Sequence, residues 1–110
     1  MELAKIFNIE KIDIGYYDNI LKFYDNDKIV GLVNYCLTPS MGTKDYIFIR
    51  NLYYVNNEYL NSIVATLCNY SKRNNLIIMT STDNKNFTKE CIETFYNNNF
   101  KGDKIILYTY

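Results

Sequence analysis

Cys36, Cys68 and Cys91 are the strongest intrinsic nucleophiles in this chain. A cysteine attacks as its thiolate, so catalysis by any of them needs an activating histidine or another cation close by. The chain contains no histidine. Ser-His and Cys-His nucleophiles are therefore ruled out, as are ordinary zinc sites, which need Cys and His in close groups. The cysteines are odd in number, widely spaced and set in apolar surroundings, so they are expected to be reduced core residues and not a disulfide framework. Arg50 interrupts an apolar run, where it serves as a solvated strand residue or as an anion ligand. Tyr53-Tyr54 is a pair of aromatics suited to sheet packing or to holding a ligand. Tyr96 is an aromatic whose hydroxyl can reach water.

Charge narrows the partners. Twelve basic residues balance twelve acidic ones, and the only tight basic cluster is Lys72-Arg73. No electrostatic footprint for nucleic acid is expected. The 110 residues, 48% hydrophobic and 22% charged, suit one globular domain able to bury roughly two-thirds of its unfolded surface. No apolar run approaches the ~20 residues of a membrane span, and Met-Glu-Leu-Ala-Lys lacks the long apolar stretch of a signal peptide. The expectation is a single cytoplasmic domain. Abundant Asn, Ile, Lys and Tyr read as the codon bias of an AT-rich genome.

The elements that must position these side chains are legible in the patterning. Residues 1–19 mix helical spacing (Leu3, Ile6, Phe7) with strand alternation (Ile12, Ile14); a short helix and an irregular link are predicted. Residues 20–24 and 29–37 are apolar, β-rich runs around Asp25-Asn26-Asp27-Lys28, a hairpin turn. Gly31 inside the second run marks a bulge or a close backbone approach. A loop follows around Pro39. Residues 46–55 form the longest strand, with Tyr46, Phe48, Leu52 and Tyr54 on one face and Ile47, Ile49, Tyr53 and Val55 on the other. Both faces are largely apolar, which predicts a central strand covered on both sides. Asn61 or Ser62 is predicted to cap a helix ending at Asn74-Asn75, with Ile63, Val64, Leu67, Cys68 and Tyr70 buried. Residues 76–82 read as a fully buried strand. Asn84 and Asn86 read as turn and cap residues of a second helix burying Phe87, Cys91, Ile92 and Phe95. Residues 104–110 close the chain as one strand. The strand–helix–strand unit implies parallel strands with a right-handed crossover.

This order resembles the GNAT (acyl-CoA N-acyltransferase) superfamily over residues ~20–110. Asp27-Lys28-Ile29-Val30-Gly31 is similar to the family's "Gly-Lys-Ile-Val-Gly" stretch. Ile49-Arg50-Asn51-Leu52-Tyr53-Tyr54 is similar to its fourth strand. Tyr70-Ser71-Lys72-Arg73-Asn74-Asn75-Leu76-Ile77-Ile78 looks like the end of its third helix entering strand five. Phe95-Tyr96-Asn97-Asn98-Asn99-Phe100 is similar to the tyrosine-containing end of its fourth helix. The resemblance implies an α/β (mixed α+β) domain spanning 1–110: a short segment 1–19, antiparallel strands over 20–55 and a cofactor half over 56–110, around a mixed sheet of about six strands. It also implies acetyl transfer from acetyl-CoA to an amine, without a metal. The pantetheine arm would lie along the main chain of Leu52, Tyr53, Tyr54 and Val55, between splayed strands four and five. The pyrophosphate would rest on N–H groups at the helix start, Asn61 and Ser62, with Asn86 nearby. Tyr96 would protonate the departing thiolate, its pKa of ~10 being matched to a thiol.

The family's pyrophosphate loop, Gln/Arg-x-x-Gly-x-Gly/Ala, is replaced by Asn56-Asn57-Glu58-Tyr59-Leu60-Asn61-Ser62-Ile63-Val64, which has no glycine. Arg50 and Asn51 stand where many members carry a carboxylate base. The alternative function is thus a catalytically inactive binding module of the same fold, with a protein partner, such as a phage or mobile-element inhibitor. A homodimer through an edge strand at 105–110 is a third reading.

Overall fold

The computed structural model describes residues 5–12, 19–38, 45–83, 85–98, 100–102 and 106–109. Leu3, Ile14, the Pro39 loop and Asn84 lie outside the described residues. Five long strands, β1 (Asn8–Ile12), β2 (Asn19–Asp25), β3 (Lys28–Thr38), β4 (Asp45–Tyr54) and β5 (Leu76–Ser81), are joined by two short ones, β6 (Lys101–Gly102) and β7 (Ile106–Tyr108). They form one mixed sheet in the order β1-β2-β3-β4-β5-β7-β6. Every pairing is antiparallel except β4 with β5. Helix α1 (Leu60–Arg73) joins β4 to β5, and α2 (Lys89–Asn97) follows β5. The class is α+β: antiparallel hairpins first, two helices after the fourth strand.

Within the described residues 5–12 there is no helix, and β1 stands where the short N-terminal helix and link were predicted. Its backbone finds partners that a helix would have supplied internally. β1 pairs with β2 from Asn8↔Tyr24 to Ile12↔Ile20, while the N–H groups of Lys5 and Phe7 donate to Ser62 Oγ (3.1 Å) and Thr66 Oγ1 (3.0 Å) on α1. At the other end, the strand predicted over 104–110 contains β7, and a further strand that the pattern did not predict, β6, precedes it. Lys101 and Gly102 pair back onto Tyr108 and Leu107. A two-residue strand is too short to show a period. β7 is consequently flanked by β5 and β6 and is not the edge that the dimer reading used.

The β2–β3 hairpin turns through Asn26 and Asp27, with Asn26 at φ 58°, a left-handed conformation that Asn tolerates. Gly31 combines both features predicted for it. The β2–β3 register slips beside it, leaving Val30 as the extra residue, and a Cβ at Gly31 would lie 2.5 Å from Ile63 Cδ1 of α1. The helix packs on the sheet here because this position has no side chain.

A second bulge corrects the predicted faces of β4. Tyr35 opposes Ile49 and Asn34 opposes Asn51, so Arg50 is the extra residue. One inserted residue inverts a period of two. Ile47, Ile49 and Leu52 are therefore buried together, whereas Tyr53 and Val55 turn outward at 57% and 62% exposure. β4 is central, but only its inner face is covered. β5 likewise alternates: Ile78 and Thr80 are buried, Ile77 and Met79 only half so. The inner face packs Leu21, Phe23, Val33, Tyr35, Ile49 and Ile78 with Ile63, Val64 and Leu67 of α1, and Phe87, Cys91, Phe95 and Phe100 continue the same core around α2.

Candidate functional site

β4 and β5 pair from Asp45↔Leu76 to Phe48↔Met79 and no further. The pairing stops one residue before the Ile49–Asn51 bulge, and a bulge bends its strand and adds local twist. Beyond it β4 is laddered to β3, and β5 to β7. The two strands thus form a split open at their C-terminal ends, where both helices begin. Val55 N donates to Val30 O at 3.1 Å, so its main chain faces β3. Successive residues of a strand direct their main-chain groups to opposite edges. By that alternation Leu52 and Tyr54 direct theirs toward the split, while Tyr53 and Val55 do not. Of the four residues predicted to line a cofactor arm, two have the required main-chain direction.

The start of α1 differs from its prediction. Neither Asn61 nor Ser62 caps it. A 3-10 turn, Asn57–Tyr59, precedes the helix, and Asn56 caps that turn, its side chain accepting from Glu58 N at 3.1 Å. The N–H groups of Tyr59 and Leu60 are also satisfied, by Asn56 O and Asn57 O. Few donors are left for an anion, and Glu58 adds negative charge beside them. Asn61 Oδ1 accepts from Asn98 Nδ2 (2.8 Å), tying α1 to the end of α2, and Ser62 Oγ holds Lys5. Both side chains are structural ties between elements. Asn86 is a turn residue as predicted, but Thr88 is the cap of α2, accepting from Cys91 N at 3.1 Å. Asn86 instead donates to Asn51 Oδ1, reaching from the β5–α2 connection to β4 beyond the end of the pairing. Tyr96 lies in the last turns of α2, 48% exposed. Arg50, at the bulge, is exposed as well.

Three contributors carried little or no signal in the sequence pattern: the Asn56 cap, the Asn51–Asn86 crossing and Thr80. Thr80 is fully buried one residue past the last β4–β5 pair, and its Oγ1 has no hydrogen-bond partner. An unmet buried hydroxyl costs about 1–3 kcal/mol. Its position as a polar residue inside an apolar strand run was the only visible hint.

No protein-family profile matches the chain, and no curated protein is similar to it. Among the described residues no group of acidic residues, histidine and cysteine is arranged to hold a metal ion, and no helix is long and apolar enough to cross a membrane.

All three cysteines are free. Burial pushes the Cys68 thiol up to about 11 despite the opposing charge of Lys72, and burial with the Glu90 carboxylate raises Cys91 to about 11. Cys68 Sγ donates to Asn98 O at 3.0 Å. At pH 8 such a thiol is about one part in a thousand thiolate. Alkylation of these two by iodoacetamide at pH 8, followed by peptide mass spectrometry, should be at least ~100-fold slower in the native protein than in urea. Because their folded pKa lies above the unfolded one, they favour the native state below about pH 9, and that contribution disappears as pH rises through about 11. Fast native labelling at either position would contradict their burial.

Proposed function

We propose that this chain is a GNAT-type domain that binds the pantetheine arm of acetyl-CoA in the β4–β5 split and transfers the acetyl group to an amine. The observation that carries the reading is the end of the β4–β5 pairing at Phe48–Met79, immediately before a bulge. An open strand edge offers main-chain donors and acceptors to an extended amide chain, which adds as a further strand would. Leu52 and Tyr54 supply those groups. Bound acetyl-CoA would present a thioester carbonyl to the main-chain N–H groups of β4, which oppose the charge developing on its oxygen. The amine nitrogen forms the new C–N bond as the C–S bond breaks, the sulfur takes a proton, and the amine gives one up. Tyr96 is the candidate donor to the sulfur. With Arg50 and Asn51 in place of a carboxylate on β4, the amine proton leaves to water.

The fit is uneven. The split suits the amide arm, but the entry to the helix suits a pyrophosphate poorly, since Asn56 and Asn57 already occupy the N–H groups of Glu58, Tyr59 and Leu60. That observation, with the Asn86–Asn51 bond crossing beyond the pairing, favours a second reading: a non-catalytic module of the same fold whose partner is a protein. A thermal-shift titration with CoA and acetyl-CoA separates them. At a hundredfold excess over the dissociation constant, a bound ligand should add about 2.7 kcal/mol, which raises the midpoint by roughly 10 °C in a domain of this size. An unmoved midpoint at millimolar ligand would end the acyltransferase reading and leave the binding module.

A further inference from the structure

A well-formed cavity lies away from the split. It occupies about 520 Å³ between the segment around Ile6–Ile9 and α1, and its lining includes Ile6, Phe7, Ile9, Asn69, Tyr70 and Arg73. The volume is that of a small-molecule site. Its charge is one-sided. Among the described residues, Arg73 is the only ionised group in the lining and no carboxylate joins it, and the ion pairs Lys5–Asp25 and Lys22–Glu10 lie elsewhere. Two carboxamides, Asn8 and Asn69, add neutral hydrogen-bonding groups. Asn74 Nδ2 donates to Tyr70 O at 3.0 Å, and Thr66 Oγ1 donates to Ser62 O (2.6 Å) and accepts from Phe7 N. Ile6, 49% exposed, and the half-buried Ile9 form the apolar part.

We propose that this cavity binds a small organic monocarboxylate, with its carboxylate on the Arg73 guanidinium and its apolar body against Ile6, Phe7 and Ile9. A guanidinium presents parallel N–H donors that match the two oxygens of a carboxylate. A phosphomonoester carries about −1.5 to −2 charges at pH 7, more than one guanidinium balances. The adjacent Lys72 points to no such role, since it is exposed and does not line the cavity. The segment 5–9 forms one wall, and its attachment to α1 through Lys5 N and Phe7 N fixes the width.

The test uses octanoate, kept below its micellar range, against the full chain by ¹H–¹⁵N NMR, with octylammonium as the cationic counterpart. Saturable shifts at the amides of Asn8, Asn69, Tyr70 and Arg73 are expected with octanoate and not with octylammonium. Arg73→Gln should weaken octanoate about tenfold or more, as loss of a charge-assisted hydrogen bond does. Lys72→Gln, one residue away and outside the lining, should leave the affinity unchanged. The proposal is overturned by equal binding of octylammonium, by shifts elsewhere, by no shifts, by an unaltered affinity in Arg73→Gln, or by an equal loss in Lys72→Gln. Arg73 is exposed in the last turn of α1, so its loss leaves the core untouched. Should Arg73→Gln nevertheless unfold, Asn69→Leu gives the same reading, with weakened octanoate binding expected and an unchanged affinity overturning the site.

Discussion

Replacing Phe95 with alanine should lower the unfolding free energy by about 3–5 kcal/mol, read as a shift in urea midpoint at unchanged slope. Phe95 is fully buried, with its ring centroid 5.6 Å from that of Phe87 and 4.8 Å from that of Phe100. Those three rings pack together in the buried core around α2, which is only nine residues long. A helix of that length has little stability of its own and relies on its buried face. Since a domain of this kind has about 5–15 kcal/mol in total, the substitution consumes a large share. The neighbouring residue supplies the control: Tyr96→Ala, on the exposed side of the same turn, should cost no more than about 0.5–1 kcal/mol. A loss below ~1 kcal/mol at Phe95 would mean that α2 is not seated as described.

Gly31→Val should cost about 2–3 kcal/mol, for a reason specific to the place where α1 meets the sheet. The first added carbon would sit 2.5 Å from Ile63 Cδ1 and 3.0 Å from Tyr53 O. Ile63 can turn its terminal methyl aside; the Tyr53 carbonyl belongs to β4 and can move only with the strand. Valine then adds two more carbons to the same gap, and interiors have no spare volume to receive them. A double-mutant cycle identifies the contact. Ile63→Ala opens the gap, so Gly31→Val should cost markedly less in that background, with a coupling of about 1 kcal/mol or more. Strict additivity would show that the strain lies elsewhere.

Legibility in the sequence followed chain locality. The hairpin through Asn26 and Asp27, the helix ending at Asn75 (φ 51°) and the buried set Phe87, Cys91 and Phe95 all depend on neighbours within a few residues. Period and turn chemistry report such features directly. The faces of β4 depart from strict alternation because a bulge is defined by the strand opposite: nothing in Ile49-Arg50-Asn51 says that Tyr35 and Asn34 will straddle an extra residue. Arg50 broke the apolar alternation in the sequence, and the structure turns that break into an inversion. Asn61 and Ser62 illustrate a second limit. Their composition fits a helix cap, yet their side chains are claimed by Asn98 and Lys5, which lie 37 and 57 residues away in the chain.

The sequence alone determined the element types and most of their order, the reduced state and burial of Cys91, the absence of histidine chemistry and the balanced charge. These follow from composition and from interactions between residues close along the chain. Only the tertiary structure decided that β4 and β5 part after four pairs, that Asn56 caps the 3-10 turn leading into α1 while Asn61 and Ser62 do not cap the helix, and that Arg73 lines a cavity with no carboxylate among its described lining residues. Each of those depends on which distant segment arrives to satisfy a main-chain group or to leave it open. Hydrogen-bond and charge pairing across the fold is settled by geometry that no local pattern encodes.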